Sequence, residues 1–159
     1  MKRIVKAPDN PARLVILISG GGSNLQAVLD ACVLGLLPAE VVAVFSNVPD
    51  AYGLERARQA GVPAVSFPKP KGIDRREYDA MLVAEVEKCR PDWILLLGWM
   101  RVLSSTFLSR FPGRIFFIIF GYAFGKLQSF SQIHIHFPVS GNNFFSHIFY
   151  YFLLLDFRF

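Results

Sequence analysis

The chain has 159 residues, 53% of them hydrophobic, and a formal net charge of +5 with a pI near 9.5. That length suits one domain with a sizeable core. The basic residues are scattered rather than clustered with aromatics, which argues against nucleic acid as a partner, and no apolar run reaches the roughly 18 residues of a membrane span.

Residue types are unevenly spread. Twelve of the sixteen Phe and all three His lie after Ile115, where Asp156 is the sole acid. The chain therefore divides into a flexible lead-in over 1–13, an α/β domain over 14–115, and an apolar tail over 116–159. The tail's composition suggests translated non-coding sequence, and its low-charge windows are aggregation-prone. Cys32 and Cys89 sit far apart on apolar helical stripes, as expected of buried free thiols in a reducing, cytoplasmic compartment. Leu14–Ile18 is too short for the core of a signal peptide.

In chain order, Leu14–Ile18 reads as a central parallel strand covered on both faces. Leu25, Val28, Leu29, Cys32, Val33 and Leu36 follow at helical spacing, with Ser23 and Gln26 as a capping box at the start and Gly35 and Pro38 at the end. Val41–Phe45 is a second strand, Tyr52–Ala60 a short helix closed by Gly61, and Ala64–Phe67 a brief third strand. Asp74 begins another helix, with Glu77 as its capping partner and Tyr78, Met81, Leu82, Val86 and Cys89 on one face. Trp93–Leu97 is a strongly apolar strand, Ser105–Phe111 a short helix, and Arg114 and Ile115 open a further strand. This alternation predicts an open, Rossmann-like, mostly parallel sheet with helices on both faces, cut short after its central strands. Ligands bind such sheets beyond the carboxyl ends of the strands, which singles out the loops Gly20–Asn24 and Gly98–Leu103.

The first loop joins a buried strand to a helix N-terminus, where free N–H groups and the helix dipole attract anions. No Gly-Lys-Ser/Thr follows, so it is not a P-loop. Leu25 occupies the third glycine position of a dinucleotide fingerprint, and no acid follows Phe45-Ser46-Asn47 to hold a ribose. Two readings remain, a monophosphate cradle and a plain tight turn. One glycine suffices for a turn, whereas three allow close backbone approach to a ligand. In the second loop, Trp99, Met100 and Arg101 read as the lining of a flat pocket, the alternative being simple packing for Met100 and Leu103 and a solvated Arg101. Arg75 and Arg76 at a helix start oppose the dipole, which fits a local anion or a solvated pair. His134 and His136 would share a strand face, but no Cys, Asp or Glu completes a metal site near them.

Together, Leu14–Ala27, Ser46-Asn47, Gly53–Ala57 and Leu97–Ser104 resemble phosphoribosylglycinamide formyltransferase over about residues 12–115. The resemblance implies transfer of a formyl group from 10-formyltetrahydrofolate, the co-substrate, to the amine of glycinamide ribonucleotide in purine biosynthesis. It implies that Gly21, Gly22, Ser23 and Asn24 hold the ribonucleotide phosphate. It assigns Arg76, Met100, Arg101, Val102 and Leu103 to the folate. The family continues from its Gly-Arg-hydrophobic strand into Asn-Ile-His-Pro-Ser, whose Asn and His stabilise an oxyanion and assist proton transfer. Here Phe117 stands at the Asn position and Ile119 at the His position, and neither side chain donates a hydrogen bond. No catalytic residue is therefore assigned. The expectation is phosphate-ligand binding without useful turnover, the alternative to an active enzyme being a noncatalytic binding remnant of the fold. A third reading is a misassembled product driven by the tail.

Overall fold

The computed structural model describes residues 10–118. Residues 1–9 of the lead-in, His134, His136 and the tail from Ile119 onward lie outside the described residues. Five strands, β1 (Ala12–Ile18), β2 (Ala39–Ser46), β3 (Ala64–Ser66), β4 (Trp93–Leu97) and β5 (Ile115–Ile118), form one sheet in the order β3-β2-β1-β4-β5. Every pairing is parallel. The helices are α1 (Ser23–Val33), α2 (Tyr52–Gln59), α3 (Arg75–Lys88) and α4 (Ser105–Leu108).

Strand β1 is enclosed on all sides. It pairs with β2 along one edge and β4 along the other, and Leu14 to Ile18 are completely buried. A strand covered on both faces needs apolar residues at every position, which is why its run is continuous rather than alternating. Parallel neighbours require crossovers, and right-handed crossovers send helices to opposite faces once the chain reverses direction across the sheet. The core shows this. Val15 and Leu17 of β1, Phe45 of β2 and Leu96 of β4 pack with Tyr78, Leu82 and Val86 of α3. On the opposite face the Ile18 side chain meets Gly53 of α2.

Several boundaries shift. Strand β1 starts at Ala12, so Arg13 belongs to the sheet and not to a flexible lead-in. Its main-chain N–H donates to Asp92 Oδ2 at 2.8 Å, and its guanidinium donates to the carbonyls of Cys89 (2.8 Å) and Arg90 (3.1 Å) and to Glu40 (3.0 Å). The capping box at Ser23 does not form. The N-cap of α1 is Gly22, in a left-handed conformation at φ 74°, and no side chain caps the helix. Gln26 is engaged elsewhere, donating to Asp30 at 2.9 Å and accepting from Arg56 at 3.3 Å. The apolar stripe of α1 is also shorter than its periodicity predicts: Val33 is 86% exposed and Leu36 is exposed, because the helix ends at Val33 and turns through Gly35. In α3, Asp74 caps the helix as expected by accepting from the Glu77 N–H at 2.8 Å, whereas Met81 is exposed. The Asp74 carboxyl is held below its usual range, mainly by that backbone hydrogen bond.

Both cysteines are free and half-buried rather than fully buried, and burial pushes the Cys32 thiol up to about 11 and raises that of Cys89. No helix among the described residues is long and apolar enough to cross a membrane.

The start of α2 packs backbone against backbone on the turn after β1. The Gly53 N–H donates to the Gly20 carbonyl at 3.1 Å. A Cβ on Gly53 would stand 2.4 Å from Ile18 Cδ1 and 3.3 Å from Gly22 Cα, and one on Gly22 would stand 2.7 Å from Gly53 Cα. Overpacking of this kind typically costs about 1–3 kcal/mol. Gly53→Ala is expected to lower unfolding stability by about 2 kcal/mol in urea melts; an unchanged midpoint would show that the contact is not tight. Trp99 gives the opposite sign. It is buried, and its indole Nε1 has no hydrogen-bond partner. An orphaned buried donor costs about 1–3 kcal/mol, so Trp99→Phe, which keeps most of the packing, is expected to raise stability by about 1 kcal/mol. A fall of that size in the same melts would contradict it.

Candidate functional site

The strand order reverses at β1. The chain runs from β1 outward through β2 to β3, then crosses back to β4 on the other side. Open α/β sheets bind ligands beyond the carboxyl ends of the strands at such a reversal, which is where the loops leaving β1 and β4 begin.

One hydroxyl ties this end of the sheet together. Ser19 directly follows β1; its Oγ donates to Asn47 Oδ1 in the loop after β2 and accepts the Met100 N–H, after β4, at 2.8 Å. Ser46, fully buried at the end of β2, shapes the same loop by donating to the Val48 carbonyl at 2.9 Å and accepting the Val48 N–H at 3.1 Å. Ser19 and Asn47 were not among the predicted site residues. Each is a polar residue placed directly after a buried strand, and each lies in a segment that carries the family resemblance.

The glycine turn has two distinct parts. Gly22 is fixed by the fold, through its left-handed φ and its contact with Gly53. Gly20 and Gly21 are exposed, and a Cβ on either would meet nothing within 4 Å, so nothing in the described chain excludes a side chain there. The first intrahelical hydrogen bond of α1 runs from the Gln26 N–H to the Gly22 carbonyl at 2.9 Å. The N–H groups of Gly22, Ser23, Asn24 and Leu25 precede it and have no intrahelical acceptor, and no side chain supplies one. Ser23 is exposed and Asn24 half-buried. The Arg56 guanidinium lies alongside, donating to the Gly21 carbonyl at 2.8 Å while stacked 4.9 Å over the Tyr52 ring. This is an uncapped helix start with a cation beside it, a combination that favours an anion.

The β4 loop separates its predicted residues. Gly98 turns the chain at φ 73°. Trp99 goes into the core, which removes it from any pocket lining. Met100 and Val102 are 80% and 71% exposed, an unusual placement for apolar side chains. Arg101 turns back, its guanidinium 4.8 Å over the Tyr78 ring, and Leu103 packs against the core. Arg76 is exposed on the first turn of α3, and no hydrogen bond or ion pair joins it to this loop. Burial pushes the Tyr78 hydroxyl up to about 12, and it donates to the Phe67 carbonyl at 2.6 Å. Tyr78 is therefore neutral at physiological pH and supports packing rather than proton transfer. No group of three or more His, Cys, Asp or Glu side chains among the described residues is placed to hold a metal. On β5, Phe117 pairs in register with Leu96 and is 58% exposed.

Comparison with known proteins agrees with this geometry. The family model described as formyl transferase matches residues 12–119. The phosphoribosylglycinamide formyltransferase of Escherichia coli (strain K12) is 47% identical over 102 residues, covering 64% of this chain and 48% of that protein. The enzyme of the same name from Schizosaccharomyces pombe is 45% identical over 106 residues, covering 61% and 51%. A crystal structure of glycinamide ribonucleotide transformylase 1 from Symbiobacterium toebii superposes with a TM-score of 0.65 at 42% identity, covering 68% of this chain and 51% of that one. This chain thus spans about half the length of the curated relatives it matches. The family match over residues 12–119, which takes in all five strands, together with these relatives, shows that the chain belongs to the formyl transferase family.

Proposed function

We propose that this chain binds glycinamide ribonucleotide by its phosphate at the turn Gly21–Asn24 and presents Met100–Leu103 to 10-formyltetrahydrofolate. The observation that carries this is the uncapped start of α1, placed beside the β4 loop by the Ser19 hydroxyl. A phosphomonoester dianion accepts several hydrogen bonds at once. The free N–H groups of Gly22 to Leu25, with the Ser23 hydroxyl and the Asn24 amide, form a matching set of donors. Gly20 and Gly21 leave room for the ester oxygen and sugar to approach the backbone.

The folate side fits more loosely. Met100 and Val102 offer exposed apolar surface for a flat ring, and Leu103 supports them from below. Arg101 reaches a folate only by leaving the Tyr78 ring, and Arg76 only from its exposed place on α3. The co-substrate supplies the formyl carbon. Transfer joins that carbon to the ribonucleotide amine nitrogen, breaks its bond to the folate nitrogen, and moves one proton from the amine to the folate. Negative charge builds on the formyl oxygen on the way, and positioned donors there are worth several kcal/mol of barrier.

Phe117 favours a second reading. At the carboxyl end of β5 its side chain offers no donor to that oxygen, and Ile119 in sequence offers none either. The chain is accordingly proposed to bind its ribonucleotide without useful transfer. Two thiols left free and far apart in sequence fit a reducing, cytoplasmic compartment.

Titration of the full chain with glycinamide ribonucleotide is expected to move the amide resonances of Gly21 to Asn24 saturably. The affinity should fall several-fold between pH 7.5 and 5.5, as the phosphate, with its second pKa near about 6, takes up a proton. Unmoved resonances in folded protein would refute the phosphate assignment. In a formyl-transfer assay with both substrates, turnover is expected at least about a thousandfold below that of an intact relative, the scale set by losing oxyanion donors. Turnover near the relative's rate would discard the noncatalytic reading.

A further inference from the structure

Asp79 is the one charged residue buried in the described chain, at 1% exposure, and neither proposed ligand surface includes it. It follows Tyr78 on α3. Its Oδ2 accepts two hydrogen bonds from buried Ser104, one from the main-chain N–H and one from the hydroxyl, each 2.6 Å. Burying a carboxylate is costly unless it is well bonded, and well-packed apolar residues usually fill such positions at lower cost. Its contribution is therefore sought in what it orders. Ser104 ends the β4 loop and stands at the N-cap of α4, yet its hydroxyl serves Asp79 rather than the helix.

The loop is thus gripped at both ends. Ser19 holds Met100 from β1. Asp79 holds Ser104 from α3, and between them Arg101 lies on the ring of Tyr78, the residue next to Asp79. Two consecutive α3 residues and the hydroxyl just past β1 leave Met100 and Val102 exposed on a segment that lacks strand or helix hydrogen bonds of its own.

We propose that Asp79 is a positioning residue: by holding Ser104 it fixes the β4 loop in the form that presents Met100–Leu103 to the folate co-substrate. This rests on the reading of that loop as the folate face. A single oxygen accepts both bonds, and an Asn side chain keeps one such oxygen, so Asp79→Asn removes the charge while retaining the acceptor.

The test uses the full chain with Asp79→Ala, Asp79→Asn and Ser104→Ala. It measures tetrahydrofolate affinity, glycinamide ribonucleotide affinity, and hydrogen exchange at the Met100–Leu103 amides. Asp79→Ala is expected to weaken tetrahydrofolate binding about tenfold and to speed that exchange similarly. Ser104→Ala, which keeps the N–H bond, should lose about threefold, and Asp79→Asn should stay within about twofold of the parent. Ribonucleotide affinity should hold within about twofold throughout. Should Asp79→Ala fail to fold, the contrast between Ser104→Ala and Asp79→Asn decides. The proposal is overturned by unchanged exchange and affinity in folded Ser104→Ala, or by equal losses for both ligands, which would mark a purely structural carboxylate. Absence of tetrahydrofolate binding by the parent chain would instead refute the folate reading and with it the role in presentation; the exchange data would then report only whether Asp79 orders the loop.

Discussion

The complete enclosure of β1 is the constraint on which the rest depends. Leu14 to Ile18 are completely buried and Leu14 to Leu17 are paired on both edges, so the strand has one place and one direction. With β1 fixed, the chain leaves it toward β2 on one side and returns beside it as β4 on the other. Both departing loops begin at the carboxyl end of the sheet, on either side of the reversal in strand order. Ser19, the first residue past the enclosed strand, then sets the spacing of three loops through one oxygen.

At the turn that follows, local stability and ligand access pull in opposite directions. A side-chain cap on α1 would contribute about 1 kcal/mol and would occupy one of the free N–H groups. The chain does without one. Gly22 takes a left-handed conformation, presses against Gly53, and leaves the helix start open. Arg56 offsets part of the exposed polarity by binding the Gly21 carbonyl from the side. Departures from local rules of this kind are expected where a protein binds something.

The features visible in sequence were those that short-range patterns encode. The continuous run of β1, the strand–helix alternation, the Asp74 cap and the positions of the loops after β1 and β4 all emerge where the residues placed them. The failures share a physical cause. Ser23 and Gln26 have the spacing of a capping box, but Arg56, thirty residues away from Gln26, claims the glutamine. Val33 and Leu36 continue a periodicity where the helix ends and the chain turns away, and Trp99, an apparent pocket lining in sequence, packs among residues of α3 and α4. The bonds that define the site join residues 28, 81 and 25 positions apart, namely Ser19 to Asn47, Ser19 to Met100, and Asp79 to Ser104. No local pattern encodes such pairs. Gly53 shows the same limit, since its glycine is plain in the sequence while the Ile18 and Gly22 atoms that require it are not.

The account separates binding from chemistry. Binding draws on backbone groups and exposed side chains that β1 and its neighbours already hold in place; transfer would need donors that Phe117 does not provide. The most direct test of the central claim is a crystal structure of this chain grown with glycinamide ribonucleotide. The account predicts the phosphate oxygens accepting hydrogen bonds from the Ser23 and Asn24 main-chain N–H groups, beside Gly21 and Gly22. A ribonucleotide phosphate seated anywhere else on the chain, with the α1 start left bare, would contradict it.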